Sequence, residues 1–284
     1  MRFRTRFAPS PTGYLHLGHA YSAITAHDLA RAAGGEFLVR IEDLDPARCH
    51  PEYEAAIFED LAWLGLTGDE EPVRQSDRRA LYDTALAQLS AMGLLFPCRC
   101  TRGDIAAALS APQEGVAQIQ AYPGTCRHRT MIEAGPKDAI RLNLEKALDR
   151  LPDLAFSETG PLHPGIHRVD PAELVSREGD VILQRRDTGM AAYHLAVVVD
   201  DAAQEITHVV RGDDLFQATR IQRVLQTLLN LPAPLYDHHD LLRDDTGKRL
   251  AKRDDARAIR KYRAEGATPT DIRAMIGLQQ RAVR

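Results

Sequence analysis

The chain has 284 residues, of which 44% are hydrophobic and 27% are charged, and its formal net charge is −4. This composition excludes disordered, collagen-like and low-complexity proteins, and the charge excludes a basic protein that coats nucleic acid indiscriminately. No apolar run approaches the roughly 20 residues of a membrane-spanning helix. The N-terminus lacks a signal-peptide core, and the 4 cysteines do not indicate a disulfide scaffold. We therefore expect a cytoplasmic protein without a membrane partner.

The charge is distributed unevenly along the chain. Residues 237–284 contain 12 Lys and Arg against 8 Asp and Glu, so they carry +4, and the residues before them carry −8. A basic end on an acidic body indicates a polyanionic partner at that end. A solvated helical surface is the alternative interpretation of the same pattern.

The N-terminal elements predict a parallel β-α-β unit. Residues 3–8 have the pattern of a strand, an Ala-rich stretch at 17–33 predicts a helix that two glycines end, and residues 37–41 predict a second strand. Farther along, residues 77–92 predict another helix. Its apolar positions at helical spacing, which we expect to be buried, are Leu81, Ala85, Leu89 and Met92.

The middle of the chain differs in character. Residues 97–133 contain three of the four cysteines and few periodic apolar residues, so we interpret them as an insertion. Strand-like runs follow at 139–144, 180–184, 192–199 and 206–211. A helix is predicted at 217–229, with Ile221, Val224, Leu225 and Leu228 on its buried face, and a charged segment beyond Pro234 precedes a short helical end.

Residues 6–19 join the first strand to the first helix and carry the first chemical signal. A helix N-terminus offers unpaired N–H groups and a positive dipole end, so it suits a phosphate. His16 and His19 would lie beside such a phosphate, and Gly18 between them would let a flat ring approach the backbone. A pair of surface histidines and half of a metal site are the alternatives.

Five blocks resemble the class I glutamyl-tRNA synthetases, in the order that this family has them. They are Arg6-Phe7-Ala8-Pro9-Ser10-Pro11-Thr12-Gly13 with His16-Leu17-Gly18-His19, then residues 39–45, 193–201 and 208–215, and finally Lys248-Arg249-Leu250-Ala251-Lys252-Arg253 at the place of the KMSKS loop. The resemblance implies an α/β fold, a Rossmann-like parallel sheet with a zinc-containing insertion and a short helical C-terminal segment.

The resemblance also implies a division of the chain. Residues 1–96 and 191–236 would form the two halves of the catalytic domain. Residues 97–190 would form an insertion with the zinc site and an acceptor-end-like subdomain. Residues 237–284 would hold the KMSKS-like loop and the basic helical end.

The same resemblance implies a glutamate pocket. Its residues would be Arg6, Ala8, Ser10, Glu42, Tyr193 and Arg211. The residue types fit, because guanidinium groups bind carboxylates in a bidentate fork and a carboxylate can accept the ammonium group. Ser10 and Tyr193 can add neutral hydrogen bonds. Either arginine could take the side-chain carboxylate of glutamate.

ATP would be bound by His16, Gly18, His19 and Lys252, with His16, His19 and Lys252 assisting catalysis. Glutamyl-AMP formation needs no general base, because the carboxylate is already a nucleophile and the enzyme positions the reactants and neutralises charge on the phosphates. Mg²⁺ is expected with ATP. Arg249 and Ala251 depart from the family's loop, so a charge is kept at the first position and a hydroxyl is lost at the second.

Three cysteines in the insertion predict one structural zinc ion per chain. Cys98, Cys100 and Cys126 would supply thiolates, and zinc usually takes a fourth ligand. The resemblance favours Tyr122 as that ligand, whereas His128 is the chemically commoner choice. Three reduced cysteines without a metal are the alternative.

The length of chain after the KMSKS-like loop narrows the resemblance to one group within the family. After Arg253 only 31 residues follow, too few for a separate anticodon-binding domain, because chains below about 40 residues rarely fold alone. The chain therefore is most similar to the glutamyl-Q tRNA(Asp) synthetases. These ligases form glutamyl-AMP without tRNA and transfer glutamate to queuosine at the first anticodon position of tRNA(Asp). We expect a monomer.

Three other functions remain open at this point. A truncated glutamyl-tRNA synthetase would charge tRNA(Glu) at its 3′ end. A nucleotidyltransferase would use the same histidine loop without tRNA, but it has no reason to keep Arg6, Glu42 and Arg211 together. A non-catalytic paralogue would bind tRNA only, a reading that the altered loop at Arg249 and Ala251 favours.

Overall fold

The computed structural model describes residues 2–101, 103–105, 121–242 and 258–278. The strands and helices of these residues are β1 (Arg4–Phe7), α1 (Leu17–Ala32), β2 (Glu36–Ile41), α2 (Pro51–Leu64), β3 (Val73–Arg74), α3 (Arg79–Ala91), β4 (Leu95–Cys98), β5 (Ala139–Leu142), α4 (Leu144–Leu148), β6 (Ala155–Glu158), β7 (Gly165–Arg168), α5 (Pro171–Arg177), β8 (Ile182–Gln184), α6 (Tyr193–Ala203), β9 (His208–Gly212), α7 (Ala218–Leu228), β10 (Leu235–His239), α8 (Ile259–Ala264) and α9 (Pro269–Met275). Within these residues, no helix is long and apolar enough to cross a membrane.

The centre of the fold is a mainly parallel sheet. β1, β2 and β3 pair in parallel, as do β9, β10 and β6, and β7 joins the edge of β6 in antiparallel orientation. The two groups of strands meet where β1 lies against β9, and the Thr207 N–H donates to the Arg4 carbonyl at 3.1 Å. The predicted parallel α/β fold is therefore confirmed.

The sheet separates two hydrophobic clusters. Leu38 packs into one cluster with residues of α3, α6 and α7, whereas its neighbours Phe37 and Val39 pack into the other with residues of α1 and α2. Successive side chains of a strand point to opposite faces, so a fully buried strand such as β2 contributes side chains to both hydrophobic clusters.

A second, smaller sheet carries the cysteine segment. β4, β5 and β8 pair in antiparallel orientation, and β4 ends at Cys98. β6 and β7 also lie between residues 97 and 190, but they extend the central sheet. The division of the chain at residues 96, 190 and 236 stays a prediction, and part of its middle segment belongs structurally to the catalytic sheet.

One predicted strand is wrong. Residues 192–199 form most of helix α6, in which every residue from Leu195 to Asp201 is buried. A helix that is buried all around shows no helical periodicity, so its run of Val and Leu resembles a buried strand. The correction matters for function, because the helix places Tyr193 at one end and Asp200 and Asp201 at the other.

The buried faces of the other helices agree with the sequence in most positions. The predicted stripe of α7 is confirmed at all four positions. In α3, Ala85 and Leu89 are buried as predicted and Met92 is half-buried, but Leu81 is 43% exposed, and Tyr82 and Leu86 fill the core instead. The predicted helical end is confirmed by α8 and α9. The elements that the sequence analysis missed are α2, α4, α5, β3, β4, β6, β7 and β10.

Asp60 of α2 destabilises the folded state when it is ionised, so its effect on stability depends on pH. It is 1% exposed, and neither of its carboxylate oxygens has a hydrogen-bond partner in the described part of the chain. Arg263 is the nearest cation, at 4.0 Å. Burial outweighs this attraction and raises the pKa of Asp60 to about 6. The folded state therefore binds a proton more tightly than the unfolded state does.

We expect Asp60→Asn to stabilise the protein at pH 8. The stability linked to a raised carboxyl pKa is present at low pH and is lost as the pH rises through about 6. The gain should therefore be about 2 kcal/mol at pH 8 and should shrink towards pH 5. Urea unfolding at both pH values measures it. Glu71→Gln, at an exposed carboxylate outside α2, is the control, and an equal gain at both pH values would contradict the assignment.

Candidate active site

A cavity of about 520 Å³ opens at the carboxyl ends of β1, β2, β9 and β10. This edge of a parallel α/β sheet is where such folds bind ligands. All the described residues that the sequence predicted for glutamate and ATP line it, namely Arg6, Ala8, Ser10, His16, Gly18, His19, Glu42, Tyr193 and Arg211. Lys252, with Arg249 and Ala251, lies outside the described residues.

The two histidines cap helix α1. The Gly18 N–H donates to Nδ1 of His16 at 3.1 Å, and the His16 N–H donates to Nδ1 of His19 at 3.1 Å. Each neutral ring therefore carries its proton on Nε2, which is a donor that suits a phosphate oxygen. A Cβ at Gly18 would lie 2.9 Å from Cε1 of His16, so the glycine makes room for this imidazole.

Arg6 reaches the cavity from β1, and all three nitrogens of its guanidinium group already contact the protein. Its Nε and Nη2 face the two carboxylate oxygens of Asp201 at 3.0 and 3.5 Å, and its Nη1 donates to the Val210 carbonyl at 3.3 Å. The edge formed by Nε and Nη2 is thus occupied by Asp201, a carboxylate of the protein itself. A bound carboxylate would meet the outer edge formed by Nη1 and Nη2.

Arg40, which the sequence analysis did not single out, lies beneath the cavity. It is fully buried, and it donates to Asp201 at 2.7 Å, to Gln204 at 3.0 Å and to Glu42 at 3.2 Å. Burial disfavours its charge, but the three neighbouring carboxylates hold the pKa of Arg40 above its ordinary value. Arg40 therefore stays ionised and orients Glu42 and Asp201 from below.

The pKa values of these carboxylates differ with their partners. Burial raises the pKa of Glu42 in spite of Arg40 and Arg6. Burial also acts on Asp201, but its ion pairs with the same two arginines hold the pKa of Asp201 below its ordinary value. Asp201 is thus the ionised counter-ion of Arg6 and Arg40. A cation in the cavity would stabilise the ionised form of Glu42 more than that of Asp201.

Asp200 is the third carboxylate of the buried ion network that Arg40 forms with Glu42 and Asp201. Its Oδ2 accepts from Tyr82 and Gln75 at 2.8 Å each, and Oδ1 lies 2.9 Å from Nε of Arg78. Three guanidinium groups and three carboxylates therefore balance one another below the cavity. The sequence does not show this network, because Arg40 and the Asp200-Asp201 pair are far apart in the chain and only the fold brings them together.

Arg211 enters from the end of β9, the strand that lies against β1. It is 5% exposed, and its Nη2 donates to Thr219 at 2.8 Å and to the Leu215 carbonyl at 3.2 Å. The Tyr193 hydroxyl lies 3.5 Å from Nη1. Arg6 and Arg211 thus face one cavity together with Glu42, an arrangement that suits an amino acid with a second carboxylate.

The cysteine segment forms a compact group. The three Sγ atoms lie within 4.8 Å of one another, and Cys100 and Cys126 are 3.6 Å apart. The Tyr122 hydroxyl is 3.4 Å from Cys98 and 3.7 Å from Cys100, and it accepts the Cys126 N–H at 2.8 Å. A tetrahedral zinc ion requires S···S and S···O separations of about 3.8 and 3.5 Å.

The donor set therefore fits zinc with Tyr122 as the fourth ligand. His128 is exposed and does not join the group of three cysteines. Burial favours the neutral thiol of Cys126, but the hydrogen bond with Tyr122 lowers the pKa of this thiol to about 7. Burial raises the pKa of Cys100 to about 11 and also raises that of the Tyr122 hydroxyl, so a metal would displace protons from these two groups on binding.

Comparisons with known proteins agree with this fold and site. Residues 2–282 match the family described as tRNA synthetases class I (E and Q), catalytic domain, and the chain belongs to this family. The chain is 56% identical to a glutamyl-Q tRNA(Asp) synthetase of Rhodobacter capsulatus, with 96% of this chain and 99% of that protein covered. A second such synthetase, from Symbiobacterium thermophilum, is 43% identical, with 94% and 83% covered. Within the class, the chain therefore belongs with the glutamyl-Q tRNA(Asp) synthetases, and it is a ligase.

A solved structure agrees with the class and its fold. The glutamate-tRNA synthetase of Elizabethkingia anophelis superposes with a TM-score of 0.79 at 28% identity. The match covers 98% of this chain and 61% of that one, so this chain spans about three fifths of its length.

We expect Asp201→Asn to lower both the stability of the protein and its affinity for glutamate. The change leaves Arg6 and Arg40 without their shared counter-ion, and breaking a buried ion pair costs about 3–5 kcal/mol. Urea unfolding should show a loss of about 3 kcal/mol, and glutamate affinity should fall, since Arg6 loses its orientation. Asp83→Asn, which breaks an exposed pair with Arg79, is the control and should change stability by less than about 1 kcal/mol. Equal effects of both variants would contradict the buried network.

Proposed function

We propose that this protein activates glutamate with ATP in the absence of tRNA and then transfers glutamate to queuosine at the first anticodon position of tRNA(Asp). The observation that supports this most is the cavity in which Arg6, Arg211 and Glu42 lie beside the capped N-terminus of α1. The name of the relatives supplies the acceptor.

The glutamate would lie between the two arginines. Arg6 and Arg211 bind its carboxylates, and Glu42 accepts the ammonium group. Ala8, Ser10 and Tyr193 complete the walls. Because the raised pKa of Glu42 reflects a buried carboxylate short of positive charge, the incoming ammonium group stabilises its ionised form.

The ATP would lie along the first turn of α1. The carboxylate oxygen of glutamate attacks the α-phosphorus, the new O–P bond forms, and pyrophosphate leaves. His16 and His19 donate from Nε2 to phosphate oxygens, and Lys252 adds a positive charge. Mg²⁺ bound to ATP would neutralise the leaving pyrophosphate. Transfer then breaks the anhydride bond of glutamyl-AMP and releases AMP.

The basic end of the chain supports a tRNA partner. The first residue of α8, Ile259, donates its N–H to the Leu15 carbonyl at 2.8 Å, directly before His16. Arg260 stacks over the ring of Tyr14 at 4.4 Å from its centroid. The first described basic residue of this end, Arg260, therefore lies close in the fold to His16, which lines the cavity, and a polyanion could approach there. We also propose a cytoplasmic location and a monomer.

Glutamate-dependent ATP–pyrophosphate exchange tests the first step, and transfer of labelled glutamate tests the second. We expect exchange without any tRNA and transfer to queuosine-modified tRNA(Asp). Unmodified tRNA(Asp) is the matched control and should accept nothing. Transfer to the 3′ end of tRNA(Glu) would instead favour a truncated glutamyl-tRNA synthetase. The absence of exchange with retained tRNA binding would favour a non-catalytic paralogue.

We further propose that Cys98, Cys100, Tyr122 and Cys126 hold one structural zinc ion. Metal analysis should give about one zinc per chain. Tyr122→Phe removes the fourth ligand and should lower zinc affinity by roughly tenfold or more, measured by competition with a chelator. His128→Ala is the control and should bind zinc as the unchanged protein does. A folded protein without metal would refute the site, and a loss of affinity only in His128→Ala would reassign the ligand.

A further inference from the structure

Arg211 is held from behind by two buried side chains that do not line the cavity. Its Nε donates to Nε2 of His238 at 3.0 Å, and Nδ1 of His238 lies 2.6 Å from Oε2 of Glu158. The three residues are 5%, 0% and 3% exposed. They come from β9, β10 and β6, which are adjacent strands of the central sheet.

The direction of each hydrogen bond follows from chemistry. A guanidinium Nε–H can only donate, so Nε2 of His238 must accept, and the proton of the neutral imidazole lies on Nδ1. That proton is donated to Glu158. Burial favours the neutral carboxyl, but the hydrogen bonds from His238 hold the pKa of Glu158 below its ordinary value, and burial lowers the pKa of His238. An ionised Glu158 and a neutral His238 are therefore consistent with the geometry.

The other oxygen of Glu158 is fixed by the backbone. Oε1 accepts the N–H groups of His238 and Gly160 at 2.8 and 2.9 Å. A Cβ at Gly160 would lie only 2.7 Å from Oε1, so the glycine permits this close approach. Glu158 therefore has one oxygen for the two backbone N–H groups and one for the imidazole.

We propose that Glu158 and His238 are positioning residues for amino-acid binding, because they set the imidazole tautomer that orients the guanidinium of Arg211 towards a carboxylate of glutamate. Nε is engaged by His238, and Nη2 by Thr219 and Leu215. Among the described residues, Nη1 has only the long contact of 3.5 Å with the Tyr193 hydroxyl, so we assign an N–H of Nη1 to the ligand. This inference rests on the proposed place of Arg211 in the glutamate pocket.

Glu158→Gln tests the tautomer without changing the shape of the side chain. The amide oxygen must keep the position of Oε1, because two backbone N–H groups point at it. The amide NH₂ then faces Nδ1 of His238, which must accept, so the imidazole proton moves to Nε2 and opposes the Nε–H of Arg211. We expect the Kd and KM for glutamate to rise roughly ten- to hundredfold, with a smaller change in kcat.

Two substitutions of His238 separate its two contacts. In His238→Gln the amide oxygen can occupy the position of Nε2 and accept from Arg211, so glutamate affinity should be partly retained. In His238→Asn the amide group can donate to Glu158 but leaves Nε of Arg211 without an acceptor, so affinity should fall as in Glu158→Gln. His167→Gln is the control, because His167 packs on the same ring of Phe216 but does not contact Arg211.

The experiment combines three measurements on the full chain. Calorimetry gives the Kd for glutamate, pyrophosphate exchange gives KM and kcat, and the ¹⁵N shifts of labelled histidine give the tautomer of His238. A tautomer change in Glu158→Gln together with a raised Kd supports the proposal. An unchanged tautomer overturns it, and so does a changed tautomer with an unchanged Kd. Equal losses in His238→Gln and His238→Asn, or a comparable loss in His167→Gln, would also overturn it, since they indicate a general structural effect.

Arg211→Ala distinguishes this inference from the proposed function. If Arg211→Ala binds glutamate normally, Arg211 does not lie in the pocket, and both the placement and the positioning role are wrong. If Arg211→Ala loses glutamate binding while Glu158→Gln keeps it, the pocket assignment stands and only the positioning role fails.

Discussion

Arg40 places a guanidinium group in the middle of the protein, where an unpaired charge would cost several kcal/mol. The cost is offset because Asp201, Glu42 and Asp200 surround it, and because Arg6 and Arg78 balance the remaining negative charge. These groups come from β1, β2, α6 and the turn before α3. The ion network therefore joins elements that are distant in the sequence, and the floor of the cavity exists only when they have assembled.

The same constraint explains the character of the pocket. The buried network is nearly neutral with Arg6 counted in it, so Arg211, on the neighbouring strand β9, is the cation that the cavity wall adds beside the outer edge of Arg6. Both guanidinium groups are tied to protein partners along one edge, so they are oriented before the ligand arrives. Preorganised charge of this kind reduces the cost of binding and of stabilising charge during the reaction.

The cysteine group and the candidate active site are connected by a second cavity, which has lining residues from both. This cavity of about 350 Å³ is lined by Tyr122 and Arg141 on one side and by Tyr193 and His194 on the other. Arg141 also stacks over the ring of Tyr122 at 3.9 Å from its centroid. A metal that fixes Tyr122 would therefore order a surface next to the N-terminus of α6, and Tyr193, at that N-terminus, lines both cavities.

The sequence by itself determined the parallel α/β class, the two histidines at the start of α1, the cysteine group and the set of residues that meet in the cavity, because these signals are local motifs or recognisable blocks. It did not reveal the helical state of α6, since a run of Val and Leu buried on every side has no periodicity to read. Nor did it reveal the partners of Arg40 that lie in helix α6, or those of Glu158 and His238, which lie on neighbouring strands. Only the tertiary structure decided which charges pair, because burial and the approach of distant chain segments set the free energy of an ionised group, and neither is encoded at a single position.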